Sequence, residues 1–466
     1  MFSEMLVRLS DWGQIDFWIA GTAALASAAC ALPGVFLLLR RQSLLGDALS
    51  HTSLLGVVAA YLLATQLQAI GWLSHESYTL LRHSLMLGGA VLAGVLAGWL
   101  SDTIEETGGV ETSASLGVVF TTMFALGLLL IRAFADHVDL DLDCVLYGSL
   151  ETIVLDTIPK STIPYATIAN AIALAINALL VVLFYKELQL STFDPALGTA
   201  LGFPAPTIRL ALTAATAATL VTAFESVGSI LVVAMLITPA AAAYLLTDRL
   251  HVLLPLAAAL AAVSAFVGHA SAIASPGVLA EQIGLSGVED ASTSGMTAAA
   301  AGAIFLLALL FAPRQGVLSK LVDQTRIAMR IVGDDVVGVL YRLEEAHRDS
   351  PAERDEALYA MQLSNGSSSF VVWLAFLRLR WKGQIERDAH TWRLTEAGRA
   401  VARDVIRSHR LWESYVVKHF GVADDQVHQS AHRAEHYIDR EMQAALDAEL
   451  QQPPRDPHGK AIPPGK

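Results

Sequence analysis

The sequence predicts an all-α polytopic membrane bundle followed by a soluble, mostly α-helical domain. Hydrophobic residues make up 54% of the 466 residues and charged residues 16%, whereas soluble proteins carry roughly 25% charged residues. The apolar excess is concentrated in residues 16–312, and the last third of the chain is charged. Two domains of different class are therefore expected, and the net charge of −13 argues against general nucleic-acid binding.

The membrane part contains nine apolar segments that approach the roughly 20 residues needed to cross a bilayer. They lie at residues 16–39, 53–70, 84–100, 114–134, 165–185, 207–223, 226–246, 252–274 and 296–312. Several are short, so we expect seven to nine transmembrane helices. Their many Ala, Gly, Ser and Thr residues permit the close helix packing of a compact transporter bundle.

An ionisable pair lies inside apolar sequence. Asp47 and His51 are four residues apart, so on a helix they share one face. Ionisable groups are costly in a bilayer and usually functional there, and a carboxylate with an imidazole suits a divalent metal. We interpret the pair as metal ligands in a translocation path, the alternative being a hydrogen bond that packs two helices. Glu225, in another apolar run, is expected to face the same path unless it reaches interfacial water.

Two further features concern the polar ends of the bundle. Asp139, Asp141 and Asp143 alternate, so on an extended segment they point to one side. There they could attract cations at a pore mouth, although a solvated acidic loop is an equal alternative. His269, near a helix end, is interpreted as structural.

A short amphipathic helix is predicted at residues 193–201. Asp194 and Pro195 suit its cap and first turn. Lys186 and Arg209 flank it, which favours a cytoplasmic position by the positive-inside rule. Basic residues after the last span place the C-terminal domain in the cytoplasm too.

The sequence pattern of the C-terminal part predicts several helices and one hairpin. Helical periodicity appears at 334–348, 364–382, 395–420 and 424–449, with a hairpin at 383–394. We divide the chain into a membrane domain (1–318), a linker (319–333), a small helical domain with the hairpin (334–400), and a helical region with a Pro-rich, poorly packing tail (401–466).

Histidines and carboxylates recur at helical spacing in that last region. His428, His432 and His436 are four apart with Glu435 beside the last, and the preceding helix carries a second such pair, His409 and Glu413. Two facing helices could therefore hold Mn²⁺, Fe²⁺ or Zn²⁺. A solvated His-rich helix face is the alternative.

The membrane part resembles the ABC-3 family of permeases, which import manganese, zinc or iron in bacteria. The motifs that carry the resemblance are the runs 39–51, 116–120, 193–195, 234–241 and 311–316. The run 139–148 looks like the manganese and iron branch. The resemblance implies a bacterial inner-membrane subunit that forms a homodimer or pairs with a second permease. It also implies two ABC ATPases and an extracytoplasmic metal-binding lipoprotein as partners, with Phe193, Asp194 and Pro195 in the ATPase-coupling element.

No Gly-rich phosphate-binding loop of the Walker type occurs in the sequence, so the chain is not expected to hydrolyse ATP itself. It is therefore expected to be a transport subunit rather than an enzyme, with no organic cofactor.

The C-terminal part resembles the diphtheria-toxin-repressor family of metal-dependent regulators. The matching runs are 408–413, 421–422, 428–436 and 456–463. The resemblance implies a winged helix at 334–400, a dimerisation region after it, and metal ligands at His409, Glu413, His428, Glu435 and His436. His432 falls where relatives carry Cys or a carboxylate. Asp335 matches a further ligand position, but Gly338 replaces a second carboxylate.

The function expected from these features is that of a permease subunit for manganese or iron, with zinc less favoured, regulated by a cytoplasmic metal-sensing domain. The alternative is a membrane-tethered or cleaved metal-dependent transcription regulator. DNA binding is not favoured because the candidate recognition helix, 370–382, carries few polar side chains that read bases. A third candidate, a proton-driven carrier, would need no ATPase partner. The ATPase-coupling run 193–195 argues against it.

Overall fold

A computed structural model describes residues 12–71, 75–134, 150–159, 161–275, 291–346, 369–388 and 391–465. The chain forms two compact units, Met1–Ser319 and Lys320–Lys466. The boundary lies one residue from the predicted end of the membrane domain. Each unit has its own hydrophobic core.

Unit one is helical throughout its described length, apart from connections. Its helices are α1 (Gln14–Leu39), α2 (Leu44–Ala69), α3 (His75–Gly108), α4 (Thr112–Phe134), α5 (Tyr165–Leu183), α6 (Tyr185–Phe193), α7 (Pro195–Ala200), α8 (Ala205–Val227), α9 (Ser229–Leu246), α10 (Leu250–Ala274) and α11 (Thr293–Phe311), with a short 3₁₀ helix at Leu150–Leu155. Within the described ranges, eight helices are long and apolar enough to cross a membrane, and the apolar part of α9, Leu231–Leu246, is shorter. The predicted polytopic bundle of seven to nine spans is confirmed.

Helix α1 is the buried centre of unit one. It packs against α5, α9 and α10, and small residues bring the backbones close. At Gly34 the approach is so tight that a Cβ atom would overlap the backbone carbonyl of Leu236 on α9. Asn177 of α5 donates to the carbonyl of Ala29, 3.0 Å away, and to Thr219 Oγ1 of α8, 2.8 Å away. Small side chains and buried hydrogen bonds therefore hold α1 in place.

Helices α2, α3 and α4 form a second group in unit one. They pack against one another, and α2 meets α3 at Gly56 and Gly89, where a Cβ on either residue would overlap the other backbone. This group carries Asp47 and His51 on α2 and an aromatic surface on α4.

His269 has the structural role that the sequence predicts. The side chain is buried. Its Nδ1 lies 3.0 Å from Thr293 Oγ1, and its Nε2 lies 3.3 Å from Asp16 Oδ1. The imidazole thus joins α10 to α11 and α1.

The short helix predicted at 193–201 is present as α7. Asp194 Oδ1 accepts a hydrogen bond from the Leu197 amide at 2.9 Å, and Pro195 occupies the first turn. This is the cap that the sequence predicts. Arg40, at the end of α1, donates to Ser191 Oγ at 2.8 Å and so connects α1 to the preceding helix, α6.

Unit two is helical with one hairpin. Its elements are α12 (Val317–Ala346, which begins in unit one), α13 (Ser369–Trp381), β1 (Ile385–Asp388), β2 (Thr391–Leu394), α14 (Glu396–Phe420), α15 (Asp424–Ala434) and α16 (Arg440–Glu449). The strands pair antiparallel, with Ile385 opposite Leu394. The predicted hairpin is therefore present.

Three local expectations for unit two differ from the structure. Residues 319–333, predicted as a linker, are part of the continuous helix α12. The helix predicted at 424–449 is two helices, because Asp439 starts a new one by accepting from the Met442 amide at 2.8 Å. The Pro-rich tail is not a poor packer, since Arg407 and Arg410 donate to the carbonyls of Pro463 and Ala461.

The core of unit two joins α12, α13, the hairpin and α14. Its central residues are Val336, Val337, Leu340, Val372, Ala375, Phe376, Leu379, Ile385, Leu394 and Ala402. A smaller apolar cluster formed by Leu411, Ile438, Leu446 and Leu450 lies under the C-terminal helices. These two cores fix α14 and α15, which carry the histidines.

Candidate metal sites

The first cluster consists of His409 and Glu413 on α14 and His428 on α15. The i, i+4 spacing places the α14 pair on one buried face, with His409 Nε2 3.0 Å from Glu413 Oε1. His428 Nδ1 lies 3.0 Å from both of those atoms. One ligand atom of each residue therefore lies within 4.8 Å of the others, which suits a shared metal ion.

The second cluster consists of Asp335 on α12 and His432, Glu435 and His436 on and just after α15. His436 Nε2 lies 3.2 Å from Asp335 Oδ1, and His432 Nδ1 lies 2.9 Å from Glu435 Oε1. Their ligand atoms also lie within 4.8 Å of one another. The end of α15 at Ala434 helps to turn Glu435 and His436 toward α12.

Glu435 joins the two clusters. Its Oε2 lies 2.6 Å from His409 Nδ1, while its Oε1 serves His432 in the second cluster. The side chain is 2% exposed. Since one carboxylate touches an imidazole of each cluster, a change in one cluster alters the charge felt by the other.

The carboxylates of both clusters are held in their charged form. Burial alone would raise the pKa of Glu413, but hydrogen bonds from His409 and His428 outweigh it and lower that pKa to about 2. Burial opposes the shift at Glu435 too, yet hydrogen bonds from His409 and His432 lower its pKa to about 2. Two anionic carboxylates inside the fold are strong ligands for a cation.

The histidines are shifted in the opposite sense. Burial would lower the pKa of His436, but the nearby Asp334 and Asp335 raise it to about 9. Burial would also lower the pKa of His409. Hydrogen bonds with Glu413 and Glu435 outweigh that effect, so the pKa of His409 is raised. The raised pKa values favour the protonated imidazoles, so a metal ion that binds these nitrogens must displace their protons.

The residues present fit a metal ion. In the part of the chain that the structure describes, the buried atoms His432 Nε2 and His436 Nδ1 have no partner within hydrogen-bond distance, and the nearest carboxylates lie 3.9 and 3.7 Å away. Buried polar atoms are nearly always satisfied, so these nitrogens are available for another ligand. Imidazole and carboxylate donors without a thiolate suit Mn²⁺ or Fe²⁺ and also accept Zn²⁺.

All seven ligands expected in the C-terminal region converge, and two neighbours were missed. His458 Nε2 lies 3.7 Å from Glu413 Oε1, and Asp334 Oδ2 lies 3.7 Å from His436 Nδ1. Asp334 adjoins Asp335 in sequence, and His458 lies in the run 456–463 that resembles the regulators. These two positions in the sequence could have indicated Asp334 and His458. Helical spacing could not, because neither residue has helical spacing to the histidines.

The membrane pair lies on one face of α2. Asp47 Oδ1 and His51 Nε2 are 3.5 Å apart, with side chains 48% and 37% exposed in the single chain. The His51 ring stacks on Phe120 at 5.8 Å and meets the edge of Phe124 at 5.1 Å, both on α4. In the single chain the pair is therefore accessible, beside an aromatic wall formed by Phe120 and Phe124.

Four other residues expected at the membrane path lie wholly or partly outside the described part of the chain. Glu225 lies in α8, but its side chain is outside the described part of the chain. Asp139, Asp141 and Asp143 lie outside the described residues altogether. Phe193 and Leu197 are exposed on either side of the Asp194 cap, and form an apolar surface on the α6–α7 segment.

The bundle and the buried clusters define a multi-pass membrane transport protein with a metal-binding domain attached. Residues 16–312 match the ABC 3 transport family, and the chain belongs to that family. Residues 395–464 match the iron dependent repressor, metal binding and dimerisation domain. The chain is thus a permease of the bacterial plasma membrane with a fused repressor-type domain.

Similar proteins are membrane components of transport systems. The manganese transport system membrane protein MntD of Bacillus subtilis is 36% identical over 308 residues, covering 66% of this chain and 95% of that protein. The zinc transport system membrane protein TroD of Treponema pallidum is 36% identical over 300 residues, covering 64% of this chain and 74% of that protein. The structure of PsaBC from Streptococcus pneumoniae in complex with Fab aligns with a TM-score of 0.50 at 26% identity, covering 69% of this chain and 99% of that one.

Proposed function

We propose that this chain is the permease subunit of an ATP-binding-cassette importer for a divalent transition metal, manganese or iron in preference to zinc. Its C-terminal unit senses metal in the cytoplasm and restrains import when metal is plentiful. The observation that carries the proposal is that one chain holds ligand-type side chains twice, in the membrane pair and in the two buried clusters.

The substrate would bind briefly at Asp47 and His51, with Glu225 as a third ligand. The relatives' names support a metal cargo, since one is a manganese and another a zinc transport protein. Two or three nitrogen and oxygen donors bind Mn²⁺ or Fe²⁺ weakly enough for release, which transport requires. Asp139, Asp141 and Asp143 would gather cations at the pore mouth.

The partners follow from the same proposal. Two permease copies would enclose the path, an extracytoplasmic lipoprotein would deliver the metal, and a separate ABC ATPase would drive transport. The exposed apolar surface at Phe193 and Leu197, with Asp194 and Pro195 between them, supports docking of the ATPase there.

Metal uptake by proteoliposomes that contain the chain and its ATPase tests the transport proposal. Asp47→Ala should reduce Mn²⁺ uptake by at least tenfold, because one of the two described ligands is lost. The matched control is Asp248→Ala, whose carboxylate pairs with Arg314 on an exposed surface and should leave uptake near that of the unchanged chain. Equal uptake by both variants would rule out the proposed path.

A second function is supported by the match of residues 395–464 to a repressor domain. The unit would then regulate transcription while tethered to the membrane, or after cleavage. Retention of duplex DNA by the purified chain, dependent on Mn²⁺ and weakened by salt, would support that function. Absence of retention with and without metal would leave transport regulation as the role of this unit.

A further inference from the structure

Helix α13 exposes an apolar stripe. Phe370, Trp373, Leu377 and Trp381 are 64%, 57%, 50% and 91% exposed. At 3.6 residues per turn these positions fall within an arc of about 80°. The rings of Phe370 and Trp373 stack with centroids 6.2 Å apart. Contiguous exposed aromatic surface of this kind usually marks a binding site.

The opposite face of α13 fixes the helix in unit two. Val372, Ala375, Phe376 and Leu379 are buried in the core of that unit. Phe376 also packs on Trp392 of the hairpin, with ring centroids 5.1 Å apart. The stripe is therefore held outward on a rigid element, and folding of the unit does not cover it with any described residue.

Basic side chains border the stripe. By helical geometry, Arg378 lies along one edge and Arg380 along the other, and Lys382 follows the helix end. Residues 369–384 contain these three basic residues and no acidic one, in a chain whose net charge is −13. Trp, Phe and Leu on one face with Arg and Lys at the edges are typical of a helix that lies in the plane of a membrane interface.

We propose that α13 docks on the anionic lipid surface of the membrane that holds unit one. The aromatic rings enter the boundary between headgroups and acyl chains, where Trp is favoured. The bordering Arg378 and Arg380 extend to lipid phosphates. This docking goes beyond the proposed function, because it requires neither transport nor metal.

The connection between the units supports a lipid partner. Helix α12 begins at Val317, only a few residues after the membrane-spanning α11 ends at Phe311. Unit two is thus covalently kept near a bilayer, which gives that surface a high effective concentration. A weakly binding helix is sufficient under these conditions.

Two other occupants fit α13 less well. DNA would match the charge of Arg378 and Arg380, and arginine can read guanine. No other polar side chain outside the aromatic residues occurs between 370 and 381, so most of the exposed stripe would lack an apolar partner on DNA. A second copy of the stripe would bring two positively charged segments together. An anionic surface instead matches both the charge and the apolar face.

The test places a nitroxide spin label on the full chain in nanodiscs. Cys30 and Cys144 are replaced by Ser, and Leu377→Cys carries the label. Glu441→Cys, at an exposed position on α16, carries it in the reference chain. In discs of phosphatidylcholine with phosphatidylglycerol, the ratio of oxygen to nickel-complex collision rates should be several-fold higher at 377 than at 441. The ratio at 377 should fall in phosphatidylcholine alone, and after Arg378→Gln, Arg380→Gln and Lys382→Gln together.

Three results would overturn the proposal. The first is equal water exposure at 377 and 441 in both lipids. The second is protection at 377 only when duplex DNA is added, and the third is strong spin–spin broadening that shows two stripes in contact. Hydrogen exchange of the peptide 369–383 in the unlabelled native chain checks the result without substitutions, and should slow in discs with phosphatidylglycerol.

Discussion

Glu435 contacts both clusters of candidate metal ligands. One carboxylate oxygen touches His409 and the other touches His432. Glu435→Gln keeps the size of the side chain but removes the negative charge that both imidazoles face. We therefore expect weaker metal binding at both clusters, on the order of 100-fold, as for loss of a metal-orienting group.

Mn²⁺ titration of the purified full chain, followed by the spectrum of free Mn²⁺, measures this effect. Asp47→Ala is present in all samples so that the membrane pair does not contribute. The control is Glu449→Gln, since Glu449 lies on the surface 3.7 Å from His419 and outside both clusters. Unchanged affinity in Glu435→Gln would show that neither cluster holds metal.

Metal binding should depend on pH through His409 and His436. The pKa of His436 rises from 6.5 to about 9 in the fold, and that of His409 is also raised. In the metal-free chain the protonated imidazole of His436 stabilises unit two fully below about pH 6.5, and this contribution is lost as pH rises through about 9. The contribution of His409 has the same sign, because its pKa is also raised. The metal-free unit should therefore weaken across this window, while metal binding strengthens by about tenfold per pH unit for each proton displaced.

Two measurements check the pH dependence. With a chelator present, hydrogen exchange in α14 and α15 should become faster between about pH 6.5 and 9, after correction for the intrinsic rate. Calorimetric Mn²⁺ titration in buffers of different ionisation enthalpy should show proton release. Metal binding without proton release would mean that other groups are the ligands.

The sequence predicted the convergence of the candidate ligands better than that of their neighbours. Residues four apart on a helix share a face, so spacing alone predicts that His409 lies beside Glu413. His458 could not be placed by spacing, because its approach to Glu413 depends on how the tail folds back. That fold rests on hydrogen bonds from Arg407 and Arg410 to tail carbonyls, which leave no pattern in the sequence.

At the scale of elements, the close packing of α1 on α9 requires a glycine at position 34. Gly34→Ala places a methyl group against the Leu236 carbonyl, so the two helices must separate. We expect a loss of about 1–3 kcal/mol, as for other overpacked cores. The control is Gly21→Ala on the same helix, where nothing lies within 4 Å of the added Cβ.

Thermal unfolding of the two variants in one detergent measures the difference. Gly34→Ala should unfold at a clearly lower temperature than the unchanged chain, and Gly21→Ala should not. Equal unfolding temperatures for both variants would show that α1 and α9 do not approach as closely as described.

The second feature at this scale is the N-terminal cap of α7, which requires the side chain of Asp194. Asp194→Ala removes the acceptor of the Leu197 amide and should destabilise the short helix by about 1 kcal/mol. Because we propose that the ATPase docks there, ATP hydrolysis should become partly uncoupled from metal uptake. The ratio of metal transported to ATP hydrolysed measures this, with Thr199→Ala on the same helix as the control, and an unchanged ratio would contradict the docking site.

Periodicity predicted the helices well but not their limits. The hairpin and the cap at Asp194 follow from local signals. The break between α15 and α16 does not, since residues 435–438 contain neither Gly nor Pro. The sequence indicates an amphipathic helix from about residue 321, but it does not show that this helix runs unbroken through the predicted linker 319–333.

At the scale of the whole molecule, the C-terminal unit should limit import. Deletion of residues 320–466, at the boundary between the compact units, should leave initial Mn²⁺ uptake intact and abolish its decline as internal metal rises. The full chain with Glu435→Gln should behave in the same way, because it retains the unit but not its metal. Uptake traced over time in cells that express each form measures this, and a normal decline in both variants would contradict metal sensing.

The short segment between α11 and α12 has a consequence for control of the metal supply. A separate regulator must diffuse, and its ratio to the transporter varies with expression. Under the proposed function, each pore would be synthesised with its own detector, so their stoichiometry would be fixed at translation. Such a detector would sample ions close to the membrane through which they enter. Its response would then follow flux through that pore rather than the average content of the cell.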